Sequence, residues 1–255
     1  MKRRLQKVIA VCLIGASLVA AREPVLVPDV SQREIEIRYS FSGAELLLFG
    51  AIIYPDGRVP TEQADIAVVL KGPTRSILIR EKQKVAGIWL NAESTRFRSV
   101  PGYYAIATSR PLGLLIDERT AAIYELGLRN IQLSPSDDAD PAIQRRFQRG
   151  LVGLMRKQGL FGEQPDSVEI TQGVLYRARL AIPGRVPVGR YTAETFLIRR
   201  GKIYAAATRK IEIRKSGFGR FVAESATDLP LAYGVFAVTL SVLLGWAAGA
   251  IFRRI

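Results

Sequence analysis

Along much of the chain's first half, apolar and polar residues alternate with a period of two. In "REIEIRYSF", Ile35, Ile37, Tyr39 and Phe41 fall on one side, with Glu34, Glu36 and Arg38 on the other. Successive strand residues point to opposite faces, so this pattern predicts a strand with one face in a core and one in water. "DIAVVLKGP" repeats the alternation through Ile66, Val68 and Leu70, and "RSILIRE" and "VAGIWLN" predict further short strands between Gly and Pro punctuation. "AELLLFGAIIY" is apolar almost throughout, which predicts a strand buried on both faces.

The period changes in the middle of the chain. "DERTAAIYELG" predicts a short helix, and "SDDADPAIQRRFQRGLVGLMRKQG" a longer one. The longer one has Asp140 as N-cap, Pro141 at the first helical position and Gly159 past its end. Ile143, Phe147, Leu151, Leu154 and Met155 form its apolar stripe. Strands return in "VLYRARLAIP", "GRYTAETFLIRR" and "KIYAAATRKIEIR", with Val174, Tyr176, Ala178, Leu180 and Ile182 alternating against Arg177 and Arg179.

Many short strands with regular turns predict a mainly β fold, an antiparallel immunoglobulin-like sandwich with a helical insertion near residues 117–160. In "VPVGRYTAE" a Pro-x-Gly-x-Tyr turn feeds a strand, as in the tyrosine corner, where the hydroxyl bonds back to nearby backbone. "VPGYYAIATS" is a looser second instance. Two small β domains joined by a helical linker would give the same pattern, and that alternative stays open.

Both ends of the chain are apolar, in different ways. Residues 231–252, "LAYGVFAVTLSVLLGWAAGAIF", carry no charge. As a helix they span roughly 33 Å, against a hydrocarbon core of about 30 Å. Tyr233 and Trp246 lie toward opposite ends as interfacial aromatics, and Arg253 and Arg254 supply a positive stop. "MKRRLQK" followed by "VIAVCLIGASLVA" has the charge and length of a signal peptide, with Val19 and Ala21 as the cleavage pattern. Cys12 follows Val11, which is too bulky for a lipoprotein box. The predicted organisation is a signal peptide over 1–21, a periplasmic β domain over 22–214, a juxtamembrane segment over 215–230, a transmembrane helix over 231–252 and a cytoplasmic tail over 253–255.

Composition then narrows the chemistry. Lys and Arg number 37 against 23 Asp and Glu. Setting aside the basic residues at the two ends still leaves the body with a basic excess, suited to an anionic membrane surface or an acidic partner. Nucleic acid fits poorly with an exported body. The chain has no histidine and one cysteine, inside the predicted signal. Ser-His-Asp and Cys-His nucleophiles, His or Cys zinc sites and ordinary haem ligation are therefore excluded, leaving carboxylate, lysine and tyrosine mechanisms. No cofactor and no metal are expected.

Among candidate residues, Asp137, Asp138 and Asp140 resemble an oxygen cluster for calcium. They lack the glycine and distal glutamate of an EF-hand loop, and helix capping accounts for them. Arg145, Arg149 and Arg156 share a helix face that would suit phosphate headgroups or an acidic partner, or be simply solvated. In "GFGRFVAESATDLP", Phe218, Phe221, Val222, Ser225 and Leu229 have near-helical spacing, either a helix lying on the bilayer or a linker. Trp89, Tyr103, Tyr104 and Tyr191 would line a groove or, more commonly, fill a core. Ser241, Gly245 and Gly249 recur every fourth residue along the final helix, a face on which another helix can pack closely.

The segments "FSGAELLLFGAI", "AGIWLNAE", "VPGYYAIATSRPL" and "VPVGRYTAETFLIRRG", together with the final span, resemble a family of alphaproteobacterial transmembrane proteins of unknown function. The likeness runs over nearly the whole chain. It implies a bacterial inner membrane with a periplasmic domain, and it brings no catalytic residue.

The leading expectation is a non-enzymatic, membrane-tethered accessory module of an inner-membrane complex or transporter. Its partners would be the lipid bilayer and an integral-membrane protein or a second copy of the chain. A periplasmic small-ligand binder or sensor is the alternative, and a carboxylate enzyme the third. Two convergent acids in a pocket would favour the enzyme, and a flat apolar patch on the body the accessory role. N-terminal sequencing of membrane-extracted protein should return a chain that begins near Arg22. Recovery of Met1 or Lys2 would instead imply a second membrane segment.

Overall fold

The computed structural model describes residues 23–37, 43–135, 140–215, 222 and 225–252. Its first sheet has four antiparallel strands in the order β1 (Val25–Val30), β3 (Gly43–Ile53), β10 (Leu175–Pro183) and β9 (Val168–Thr171). The second has six, in the order β2 (Glu34–Ile37), β12 (Lys202–Lys215), β11 (Gly189–Arg199), β4 (Asp65–Lys71), β7 (Tyr104–Thr108) and β8 (Phe161–Gln164). Its two outermost pairs, β2–β12 and β7–β8, are parallel, an edge arrangement that the immunoglobulin-like expectation did not include. Strands β5 (Thr74–Val85) and β6 (Ile88–Pro101) form a two-stranded sheet of their own, with one further bridge from Phe97 to Pro135.

The two sheets lie face to face, with β1 against β12 and β11, and β10 against β7. On the four-stranded sheet the inward side chains are Leu26 and Val30, Leu46, Leu48 and Ile52, and Tyr176, Ala178, Leu180 and Ile182, all buried. This is the alternation read in "VLYRARLAIP", seen in three dimensions. Gly50 lies between Pro28 and Tyr176 across the sheet, and a Cβ there would meet the Val27 carbonyl oxygen at 2.5 Å and the Tyr176 hydroxyl at 2.6 Å. Only glycine fits beneath that ring.

Helices α1 (Leu112–Leu115), α2 (Glu118–Ile123) and α3 (Pro141–Lys157) follow β7 and precede β8; α2 and α3 lie within residues 117–160, where the sequence placed an insertion, and α1 comes before that stretch. Their buried residues, including Leu115, Ala121, Phe147, Leu151 and Met155, join the same continuous core as the strands. Leu154, expected with them, stands about half exposed. Every residue from Ile66 to Leu70, and from Tyr104 to Thr108, is buried, so β4 and β7 are covered on both faces.

β3 has the opposite fate. Its continuous apolar run predicts burial on both faces, yet Phe49 and Ile53 are exposed on the outer one. Among the described residues, no element covers that face. "VAGIWLN" also differs: it is the bend of one long hairpin, with Ala86 (φ 49°) and Gly87 (φ 86°) forming a two-residue turn between β5 and β6. Positive φ at both turn residues matches the right-handed strand twist, and glycine supplies it without strain.

The aromatic corner forms as the sequence indicates. The Tyr191 hydroxyl donates to the Pro187 carbonyl at 2.7 Å. Tyr103 behaves differently, donating across the sandwich to the Ala181 carbonyl of β10 at 2.7 Å, and its ring lies 6.0 Å from that of Tyr191. Burial raises the pKa of Tyr103, Tyr104 and Tyr191 well above the ordinary phenol range. The phenols therefore stay neutral donors. Tyr191→Phe leaves the Pro187 carbonyl without its donor and should cost about 1–2 kcal/mol, lowering the melting temperature by about 2–6 °C. An unchanged melting temperature would remove the corner from the account of stability.

Candidate functional site

Helix α3 starts where Asp140 accepts a hydrogen bond from the Ala142 amide at 2.7 Å, with Pro141 at its first position. It ends at Gly159 (φ 72°), whose amide donates to the Arg156 carbonyl at 2.9 Å. Asp140 thus acts as a cap. Asp137 and Asp138 lie outside the described residues. The helix presents different stripes to different neighbours. Phe147, Leu151 and Met155 enter the core, while Arg146 pairs with Glu81 at 3.0 Å and with Glu93, both on the hairpin.

A third stripe, Arg145, Gln148, Arg149, Val152, Gly153 and Arg156, lines a cleft of about 1150 Å³. Opposite it are the Gly127–Asn130 loop, α1 and the Glu163–Pro165 end of β8, with Ile106 and Thr108 of β7 also in the lining. The loop is fixed by its neighbours. The Tyr104 hydroxyl donates to the Glu125 carbonyl at 2.8 Å and accepts from the Gly127 amide at 2.9 Å. Glu163 Oε1 accepts from the Leu128 amide at 2.5 Å, and Asn130 Nδ2 donates to the Leu126 carbonyl at 2.6 Å.

Arg129 joins Arg145, Arg149 and Arg156 in this lining, and among the described residues none of the four has a carboxylate partner. Helical spacing pointed to three of these arginines. Arg129 was not legible because it arrives from a separate loop. Four guanidinium groups and one carboxylate tied to a backbone amide provide no acid–base pair. The arrangement can attract and orient anions.

The remaining sequence candidates disperse. Tyr103, Tyr104 and Tyr191 are core residues, whereas Trp89 stands 64% exposed near the tip of the β5–β6 hairpin beside Ile88 and Leu90. Trp89 lines neither groove nor core, because the turn at Ala86–Gly87 carries it away from both sheets. At the base of the hairpin Phe97 and Val100 are buried, which fixes the arm to the body.

A second surface lies on the outer side of the four-stranded sheet. Val25 pairs with Ile53, Val27 with Ala51, and Ala51 with Leu175, giving adjacent apolar rows. Val25, Ile53 and Leu175 are each more than half exposed. The next row is Asp29, Phe49 and Arg177, and Arg177 pairs with Glu169 of β9. The patch is apolar, holds a concavity of about 440 Å³ bordered by Val27, Phe49 and Leu175, and is rimmed by charges of both signs.

Helix α4 (Pro230–Phe252) has 23 residues, and none of its side chains from Pro230 to Gly249 is buried. One window within it, Pro230–Gly249, is long and apolar enough to cross a membrane. Residues Ser225–Asp228 are helical just before it, and the Leu229 amide donates to the Ser225 carbonyl. Tyr233 and Trp246 project from α4, whereas Phe218, Phe221, Arg253 and Arg254 lie outside the described residues. Ser241 donates to the Ala237 carbonyl at 2.8 Å, so its hydroxyl is satisfied within the helix. A Cβ at Gly245 or Gly249 would meet nothing within 4 Å. If this face packs on another helix, Gly245→Ile or Gly249→Ile should release that helix while insertion persists, and Leu243→Ile should not. Retention of every co-purifying protein by both glycine variants would reduce the span to a tether.

Comparison with protein families gives a match over residues 25–254 to the model described as "Putative transmembrane protein (Alph_Pro_TM)". It covers both sheets, the helices and the final span. Comparison with curated proteins gives no match.

Proposed function

The chain belongs to that transmembrane family, and from this premise we propose that it is a non-catalytic, membrane-tethered accessory module that docks onto another protein of the same membrane. The observation that carries the proposal is the uncovered apolar face of the four-stranded sheet, formed by Val25, Val27, Phe49, Ile53 and Leu175. A strand normally turns such residues toward a core or replaces them with polar ones. Contiguous exposed apolar patches with polar rims mark interaction sites. The rim here carries Asp29 and Arg177, of opposite sign, as the rim of a protein interface does. An anionic bilayer would favour basic residues alone.

In this proposal the body faces the bacterial periplasm and the span ends at the cytoplasmic side of the inner membrane. The basic N-terminal run, its small-residue cleavage pattern and Arg253 and Arg254 after the span support that orientation. The candidate cleft has four arginines and one occupied carboxylate, which weighs toward binding and away from carboxylate catalysis.

A photoreactive phenylalanine analogue placed at Phe49 in native membranes should form an adduct with one membrane protein. The same group at Arg190, exposed on the other sheet, should not. Phe49→Asp combined with Leu175→Asp should lose that adduct's partner on mild detergent extraction. Both side chains are exposed, so the melting temperature should shift by only a few degrees. Equal labelling at positions 49 and 190, or full retention of the partner by the double variant, would overturn the proposal.

A further inference from the structure

We propose that the cleft between α3 and the Gly127–Asn130 loop binds a small amphiphilic anion, one with a phosphate-like or sulfonate-like head and an apolar body. This is independent of the sheet face, which belongs to a different surface. Charge sets the head. Arg129, Arg145, Arg149 and Arg156 converge on the cleft, while the lining supplies one carboxylate, Glu163. That carboxylate is engaged by the Leu128 amide and holds the loop in place.

The direction of the arginines is specific to this stripe. Arg146, adjacent in sequence, turns to the hairpin and is neutralised there by Glu81 and Glu93. Arg145 and Arg149, one helical turn apart, have no carboxylate partner among the described residues and border the same space. A planar guanidinium offers paired donors that match an oxoanion, and its charge persists at any physiological pH. Neighbouring like charges repel until an anion enters between them.

Apolar residues set the body. Ile106, Leu112, Leu128 and Val152 share the lining with the arginines. Gly113 and Gly153 leave room, since a Cβ on either would meet nothing within 4 Å. A volume of about 1150 Å³ far exceeds the needs of inorganic phosphate. The same head-and-body chemistry exists in a soluble organic anion and in an anionic lipid.

The test uses the full chain in phosphatidylcholine nanodiscs, with hexyl phosphate as the probe and calorimetry as the readout. Hexyl phosphate should bind, inorganic phosphate should bind at least tenfold more weakly, and hexanol should give no arginine-dependent signal. Arg145→Ala and Arg149→Ala should each weaken hexyl phosphate by about tenfold or more. Val152→Trp, which fills the apolar part and leaves all four charges, should weaken hexyl phosphate more than inorganic phosphate. Adding phosphatidylglycerol to the nanodiscs should compete with the probe if the natural source is the bilayer, and leave its affinity unchanged if the source is soluble. The proposal is overturned if the parent shows no binding, or if the parent and all three variants bind hexyl phosphate alike.

Discussion

Strands β4 and β7 have no face to give to water. Ile66–Leu70 and Tyr104–Thr108 are buried throughout, so the six-stranded sheet needs a cover on each side. The four-stranded sheet supplies one cover, meeting it through β10 against β7 and β9 against β4. The helices between β7 and β8 supply the other, bringing Leu115, Ala121, Phe147, Leu151 and Met155 into the common core. Burying apolar area on both sides of one sheet is worth roughly 25 cal/mol per Å² of surface removed from water. That requirement fixes a three-layer body, and the positions of the cleft and the exposed face follow from it.

A buried sheet must also satisfy its few polar groups. On the helix side Lys71 lies 3.0 Å from Glu125 and 3.2 Å from Glu194, joining β4, the loop after α2 and β11. Burial works against the Lys71 ammonium, but its hydrogen bond to Glu125 and the charge of Glu194 outweigh that penalty and raise its pKa. At the opposite end of β4, Asp65 accepts from Ser109 and from the Arg110 guanidinium. These contacts pin the segment that enters the helical layer and the loop between α2 and α3. The loop after α2 therefore holds a fixed distance from the sheet, as a cleft wall must.

Much of this was legible in the sequence, and the failures have separate physical causes. Periodicity reports whether one face of a strand is apolar, and it read β10 correctly through Tyr176, Ala178, Leu180 and Ile182. It does not report what covers the second face. "DIAVVLKGP" reads as an alternation with one buried face, yet Ile66–Leu70 are buried on both sides, and "AELLLFGAIIY" reads as buried on both faces, yet β3 is buried on one. The difference lies in the helical layer, which is remote in sequence and reaches only one of the two sheets. Tyr191 was legible because its partner, Pro187, is local. Trp89 was not, since a two-residue turn decides its position and aromatic content alone says nothing about direction. The cleft was half legible: helical spacing groups Arg145, Arg149 and Arg156, and only the chain's return through Arg129 and Glu163 turns a charged stripe into a walled space.

Helix α3 connects the core to the cleft. Most of a helix's stability in a protein comes from packing its apolar face, so the place of this 17-residue helix depends on the stripe it buries. Phe147, Leu151 and Met155 supply that stripe and so set the rotation of the whole helix about its axis. With the rotation fixed, Arg146 must face the hairpin and Arg145, Arg149 and Arg156 the cleft. A turn of the helix by one residue, about 100°, would bury guanidinium groups without partners, at a cost of several kcal/mol each. The core stripe therefore orients the arginines indirectly. The aim of three of the four charges, Arg145, Arg149 and Arg156, is held by apolar contacts on the far side of the helix, where no ligand reaches.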